Sequence, residues 1–157
     1  MPRITPSLWF DTEGKEAAEL YVSVFPNSEV TEVSYYGEVG PRPAGSVLTV
    51  NLVLDGQPFM ALNGGPEFPF TEAVSLFVSC AGQDEVDYYW SKLSAGGEEG
   101  QCGWLKDRFG LSWQVVPADL GKILGDPDPE RARRAVAGML GMRKLDVAAL
   151  AAAADGP

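Results

Sequence analysis

The chain repeats itself. A shift of 68 residues lays Ser7-Leu8-Trp9-Phe10 on Ser75-Leu76-Phe77-Val78. At the same offset Gly14 falls on Gly82, Glu16 on Asp84, Glu19 on Asp87, Tyr21 on Tyr89 and Ser23 on Ser91. One such match means little. A run of them in constant register, crossing a strand pattern and then a helix pattern, points to two copies of a single supersecondary unit.

Each copy opens on a short β-like run, turns at a glycine-bearing loop and continues as an amphipathic helix. The first helix is GKEAAELYVSVF; in the second, QDEVDYYWSKLSA, Val86, Tyr89, Trp90 and Leu93 recur at i, i+3, i+4 and i+7. Pro26-Asn27 ends the first helix and Gly96-Gly97 the second. Strands follow. SVLTVNLVL and QPFMALN flank Asp55-Gly56, a strong two-residue hairpin signal, while CGWLKD and LSWQVV flank Arg108-Phe109-Gly110. SEVTEVSYYG adds a strand to the first copy, and GGEEGQ leads into the matching place in the second. The order per copy is β-α-β-β-β, with repeat 1 over about 3–63, a Gly/Pro-rich linker over 64–72, repeat 2 over about 73–117 and a helical tail over 118–157. In the tail, Asp128 is placed as N-cap and Pro129 at the first helical position, ahead of an apolar stripe of Ala132, Val136, Met139 and Leu140. KLDVAALAAAA reads as a further helix. The stripe is more than one lone helix can hide, so the tail is expected to pack on its own body or on a second subunit. Arg131, Arg133, Arg134, Arg143 and Lys144 make it locally basic, as a solvated helix face does.

At 157 residues the chain is long enough for one domain with a real core. A net charge of −10, from 22 acidic against 12 basic residues, repels phosphate backbones and anionic lipid and argues against nucleic acid or a membrane as partner. No apolar run approaches the roughly 20 residues of a membrane span. The opening MPRITPSLWF lacks the charged-then-apolar pattern of an export signal, and Cys80 and Cys102 lie in apolar, strand-like runs. Buried free thiols in a reducing cytoplasm are the expectation.

Two β-α-β-β-β copies of this size resemble the vicinal oxygen chelate superfamily, which includes glyoxalase I, extradiol dioxygenases and bleomycin-resistance proteins. Several stretches sharpen the likeness: Leu8-Trp9-Phe10-Asp11 ahead of Glu16-Ala17-Ala18-Glu19-Leu20-Tyr21; Ala61-Leu62-Asn63-Gly64-Gly65-Pro66; Thr71-Glu72-Ala73-Val74-Ser75; and Cys102-Gly103-Trp104-Leu105-Lys106-Asp107-Arg108-Phe109-Gly110 followed by Ser112-Trp113-Gln114. These look like the PhnB-like branch, often labelled 3-demethylubiquinone-9 3-methyltransferase, and the likeness runs over nearly the whole chain, tail included. It implies an α+β fold in which two βαβββ repeats form an open eight-stranded cup with helices outside and the ligand within, and, as in bleomycin-resistance relatives, a homodimer.

Strand alternation then sorts side chains. Leu8, Phe10, Leu76, Val78, Trp113 and Val115 are assigned to the helix side. Thr5, Ser7, Trp9, Ala73, Ser75, Phe77, Ser112 and Gln114 are assigned to the cup, and Phe59, Ala61 and Asn63 share one face. Metal-dependent relatives carry His and Glu on the opening and last strands of each copy. By register these positions become Thr5, Ala73, Ala61 (Asn63 if the register is off by two) and Gln114. The chain has no histidine, and neutral amides, hydroxyls and methyls do not hold zinc, iron or nickel; no metal and no other cofactor is expected. Gln114 either orients a polar ligand group or bonds a neighbour such as Ser75 or Asn63. No glycine-rich strand-to-helix turn is present to cradle S-adenosylmethionine. Cys102 lacks a histidine base and would need a cation such as Lys106 to become nucleophilic. Lys106, Asp107 and Arg108 read as a solvated, salt-linked corner or, alternatively, an anion clamp, and Glu98 and Glu99 stay unassigned.

The expected ligand set is Ser7, Trp9, Phe59, Asn63, Ser75, Phe77, Trp104 and Gln114, around a small, partly aromatic or apolar molecule. The same rings could instead fill the cup as core. Two functions remain open at this point: a metal-free binding protein, or an enzyme acting on a small metabolite through cup residues or an unadvertised cofactor.

Overall fold

The computed structural model describes residues 3–156. The chain divides between Phe70 and Thr71 into two compact units. The first contains β1 (Ser7–Phe10), α1 (Gly14–Val24), β2 (Glu29–Tyr35), β3 (Val47–Leu54) and β4 (Gln57–Asn63). The second contains β5 (Ser75–Cys80), α2 (Gln83–Ser94), β6 (Glu98–Glu99), β7 (Trp104–Lys106), β8 (Ser112–Pro117), α3 (Leu120–Leu124), α4 (Pro129–Leu140) and α5 (Val147–Asp155). Both are βαβββ units of an α+β fold, with equivalent strand orders β1-β4-β3-β2 and β5-β8-β7-β6. In each, the opening strand runs parallel to the last, and the other pairings are antiparallel.

In the first unit, α1 buries Ala17, Ala18, Tyr21 and Val24, a stripe that packs on the sheet face formed by Leu8, Phe10, Val50, Leu52, Leu54, Phe59 and Ala61. Asp55 and Gly56 turn the β3–β4 hairpin with φ of 46° and 81°, the pair of positive values a type I′ turn requires. Helix α1 has no cap from its own chain entry; instead Asn63, at the end of β4, accepts from the Gly14 amide at 2.8 Å and donates to the carbonyls of Thr12 and Val47. The segment after β4 folds back on the same unit: Trp9 donates to Gly65 O at 2.9 Å and meets Phe68 edge-on, while Phe70 packs edge-on against Phe10. The Gly/Pro-rich stretch is therefore anchored rather than a free tether over most of its length.

The second unit has shorter middle strands, two residues in β6 and three in β7 against seven and eight in β2 and β3. Glycines 96, 97 and 100 crowd the start of this region; a Cβ at Gly97 would run into the backbone of Lys106 and Asp107. Helix α2 buries Val86, Trp90 and Leu93 on the side of the sheet that holds Leu105, Trp113 and Val115. Asp107 corrects its sequence reading. It is neither a solvated corner nor a clamp but 2% exposed, accepting from the amides of Phe109 and Leu111 and from the Trp113 indole.

The tail packs on its own unit. Asp128 caps α4 as expected, accepting from Glu130 N at 3.0 Å. Cys102 and Gly103 donate to the carbonyls of Met142 and Arg143, and Gln83 brackets the start of α5 by donating to Leu145 O and accepting from Val147 N. The tail's cations are mostly paired: Arg131 with Asp126 and Asp155, Arg133 with Glu130, Arg143 with Glu99 and Lys144 with Asp87. Among the described residues, no helix is long and apolar enough to cross a membrane.

Candidate functional site

Residues paired across a ladder share a face, so the register of the second sheet fixes what its α2-distal face presents. Glu98 pairs with Lys106, Lys106 with Ser112 and Ser112 with Ser75, a polar row across all four strands. One step along, Trp104 pairs with Gln114 and Gln114 with Phe77, and beyond them Val116 pairs with Ser79. This second row is mostly apolar.

A cavity of about 380 Å³ lies over the apolar row. Its floor is Phe77, Ser79, Trp104, Gln114 and Val116; Leu120, Gly121 and Leu124 of α3 and Met139 of α4 form walls. Phe77 is 60% exposed, an unusual state for a phenyl ring on a sheet, and leaves a ring face for a ligand. Gln114 donates from Nε2 to Ser75 Oγ at 3.0 Å; its carbonyl oxygen and second amide hydrogen remain available for other partners. A second, more polar hollow of about 240 Å³ lies over the polar row, bordered by Glu72, Glu98, Gly100, Lys106 and Ser112. Trp104 borders both hollows.

The polar hollow holds an ion pair between Lys106 and Glu72. Its hydrogen bond and charge hold Glu72 below the usual carboxylate range and Lys106 above the usual amine range, with Glu98 adding to the latter. Lys106 is thus committed to Glu72 rather than serving to activate Cys102. Cys102 itself is not in a strand, as the sequence suggested, but in the turn before β7 at φ 56°, with its thiol directed to Met139 O. Cys80 is fully buried, and burial pushes its thiol up to about 11.

Of the residues singled out in the sequence, the structure brings Ser75, Phe77, Trp104 and Gln114 together on one face of one unit. Ser7 and Trp9 lie on the α1-distal face of the first sheet, with Trp9 packed under Phe68. Phe59 and Asn63 lie on the opposite side, against α1. Pairing places Ala61 with Leu8 and Asn63 with Phe10, and the Asn63 amide is consumed by three backbone groups at the helix entry. What sequence reasoning missed is α3 and the part Met139 plays: a five-residue helix carries no periodic signal, and only the folded tail brings its leucines over Gln114.

The metal positions implied by the fold do not fit a metal. Thr5 and Ala73 precede their strands and are exposed, Ala61 faces α1, and the α1-distal residues of β4 are Met60 and Leu62. Of the positions the resemblance implies, Gln114 alone lies on the expected face, and its amide nitrogen is bonded to Ser75. Among the described residues, no three His, Cys, Asp or Glu side chains are grouped to hold a metal ion.

The chain is similar to known proteins in sequence and in fold. The family model described as 3-demethylubiquinone-9 3-methyltransferase matches residues 2–116. That match stops short of the tail, so the sequence likeness is narrower than the whole-chain resemblance suggested. A PhnB protein from Bacillus cereus is 35% identical, with a TM-score of 0.68, over 74% of this chain and 100% of its own. A protein from Pseudomonas aeruginosa is 22% identical, with a TM-score of 0.61, over 74% of this chain and 98% of its own. The genomically encoded fosfomycin resistance protein FosX from Listeria monocytogenes shares the fold at 16% identity and a TM-score of 0.52, over 75% of this chain and 93% of its own. No curated protein matches.

Proposed function

The chain belongs to the 3-demethylubiquinone-9 3-methyltransferase family, in its PhnB-like form, and from that premise we propose that it is a small-molecule-binding protein that uses no metal and takes a partly apolar ligand into the second unit. The observation that carries this reading is the cavity of about 380 Å³ over Phe77, Trp104 and Gln114, closed on one side by Leu120, Leu124 and Met139. A space of that size is within the range of small-molecule sites, and its composition follows their usual pattern of apolar walls with a few placed polar groups. Phe77 and Trp104 offer ring surface at little cost in side-chain entropy, and Gln114, steadied by Ser75, offers an acceptor and a donor. Ser7, Trp9, Phe59 and Asn63 belong to the first unit and are not among the residues that line this cavity. Among the described residues, neither strand-to-helix turn carries the glycine-rich pattern that cradles a nucleotide cofactor, and the methyltransferase reading is therefore not the one proposed. A homodimer in the cytoplasm belongs to the same proposal; the free thiols of Cys80 and Cys102 are in keeping with a reducing compartment, and sedimentation tests the dimer.

The experiment is a thermal-shift screen of small aromatic and aliphatic compounds, followed by calorimetry on the hits with Trp104→Ala and Gln114→Ala. Binding should weaken roughly tenfold in Trp104→Ala, the scale of a lost aromatic anchor. Hits that bind both variants as tightly as the parent would place the ligand elsewhere.

A further inference from the structure

The polar hollow next to that cavity contains a group that the fold leaves unfinished. Ser112 is wholly buried, yet its Oγ has no hydrogen-bond partner among the described residues. Buried hydroxyls are rarely left unpaired, because desolvation without a compensating bond is costly. Ser112 sits in the centre of the polar row, paired with Lys106 on one side and Ser75 on the other. Ser75 Oγ accepts from Gln114 and Lys106 pairs with Glu72, and neither ladder neighbour makes a hydrogen bond to it.

The charges around it do not balance. Lys106 and Glu72 cancel as an ion pair, and Glu99, which also borders the hollow, accepts from the Trp90 indole and is offset by Arg143 at 3.8 Å. Glu98 remains, across the ladder from Lys106 and lining the same hollow, and leaves the hollow with one net negative charge. Trp104 stands between this hollow and the apolar cavity, and an indole face attracts organic cations.

We propose that the polar hollow receives the ammonium group of an organic amine whose apolar body occupies the adjoining cavity, with Glu98 and Ser112 Oγ accepting its N–H bonds and Trp104 flanking the junction. This rests on the binding reading above and narrows it to a ligand class: a primary alkylamine or arylalkylamine. Glu98 supplies the counter-charge, Ser112 acquires the partner it lacks, and Phe77 with Leu120 and Leu124 contacts the hydrocarbon.

Calorimetry with 2-phenylethylamine, and with 2-phenylethanol and 3-phenylpropionate as neutral and anionic counterparts, tests it on the full chain. The amine should bind about tenfold more tightly than the alcohol and the acid least, with the preference shrinking as salt rises. Glu98→Gln should remove most of the amine's advantage over the alcohol and Ser112→Ala about threefold of it. Neither variant threatens folding: Glu98 is exposed, and Ser112→Ala deletes an unsatisfied hydroxyl. If amine and alcohol bind equally, or the two variants leave the preference intact, the amine assignment is wrong and the apolar cavity survives. If no compound binds, the cavity reading falls with it.

Discussion

Replacing Asn63 by alanine should unfold the chain more readily without touching any ligand. Asn63 is 6% exposed. Its Oδ1 accepts from Gly14 N at 2.8 Å, and its Nδ2 donates to Thr12 O at 3.1 Å and to Val47 O at 3.3 Å. It therefore supplies the cap that the entry to α1 lacks and ties that entry to β3. Two of the three bonds are ordinary ones worth roughly 1 kcal/mol net, and loss of the third strands a buried amide at a cost of about 1–3 kcal/mol. The sum is about 3–5 kcal/mol. With a urea m value of about 2 kcal/mol/M, the midpoint should fall by roughly 1.5–2.5 M. Asn63→Asp should not rescue it at neutral pH, because the second carboxylate oxygen would face the carbonyls of Thr12 and Val47 where an N–H now donates. Urea titrations followed by far-UV circular dichroism measure both variants. A midpoint shift of Asn63→Ala below about 0.3 M, together with lost ligand binding, would show that the side chain serves a ligand and that the capping argument is mistaken.

Two further outcomes follow from buried groups in the second unit. Asp107→Asn keeps an acceptor for the Phe109 and Leu111 amides but turns an N–H toward the Trp113 indole N–H; a loss of about 1–3 kcal/mol in urea is expected, and an unchanged midpoint would deny Asp107 its structural role. For Cys80, burial lifts the thiol from its ordinary 9.0 to about 11. The unfolded chain then releases the proton first, so stability is full below pH 9 and declines between about 9 and 11, by on the order of 2 kcal/mol. The parent should therefore lose more stability than Cys80→Ala on going from pH 8 to pH 11, and parallel losses would refute the assignment.

Much of the fold was legible because the repeat and the periodicities agree. Leu8, Phe10, Trp113 and Val115 are buried toward the helices as alternation requires, and Gln114 lies on the opposite face with Phe77. The misplacement of Phe59 and Asn63 has a physical source. In β4 both alternating sets, Phe59-Ala61 and Met60-Leu62, are apolar, so alternation fixes which residues share a face but not which face is which. Asn63 then looked like a cavity residue because it is polar, whereas the groups that claim its amide, Gly14 and Thr12, are about 50 positions away in sequence. The cavity wall was hidden for a similar reason. Leu120 and Leu124 acquire meaning only once β8 ends at Pro117 and the chain crosses the sheet, a tertiary event with no local signature. The unpaired hydroxyl of Ser112 is likewise a tertiary property, set by its place between β5 and β7 in the folded sheet.

The most direct test of a ligand seat on the α2-distal face is to follow the Gln114 side-chain amide and the Trp104 indole N–H by 1H–15N spectroscopy while 2-phenylethylamine is added. Both resonances should shift in a saturable way, with the backbone amides of Phe77 and Gly121. Shifts confined to the first unit, or none around Gln114 and Trp104 at saturating amine, would contradict the account.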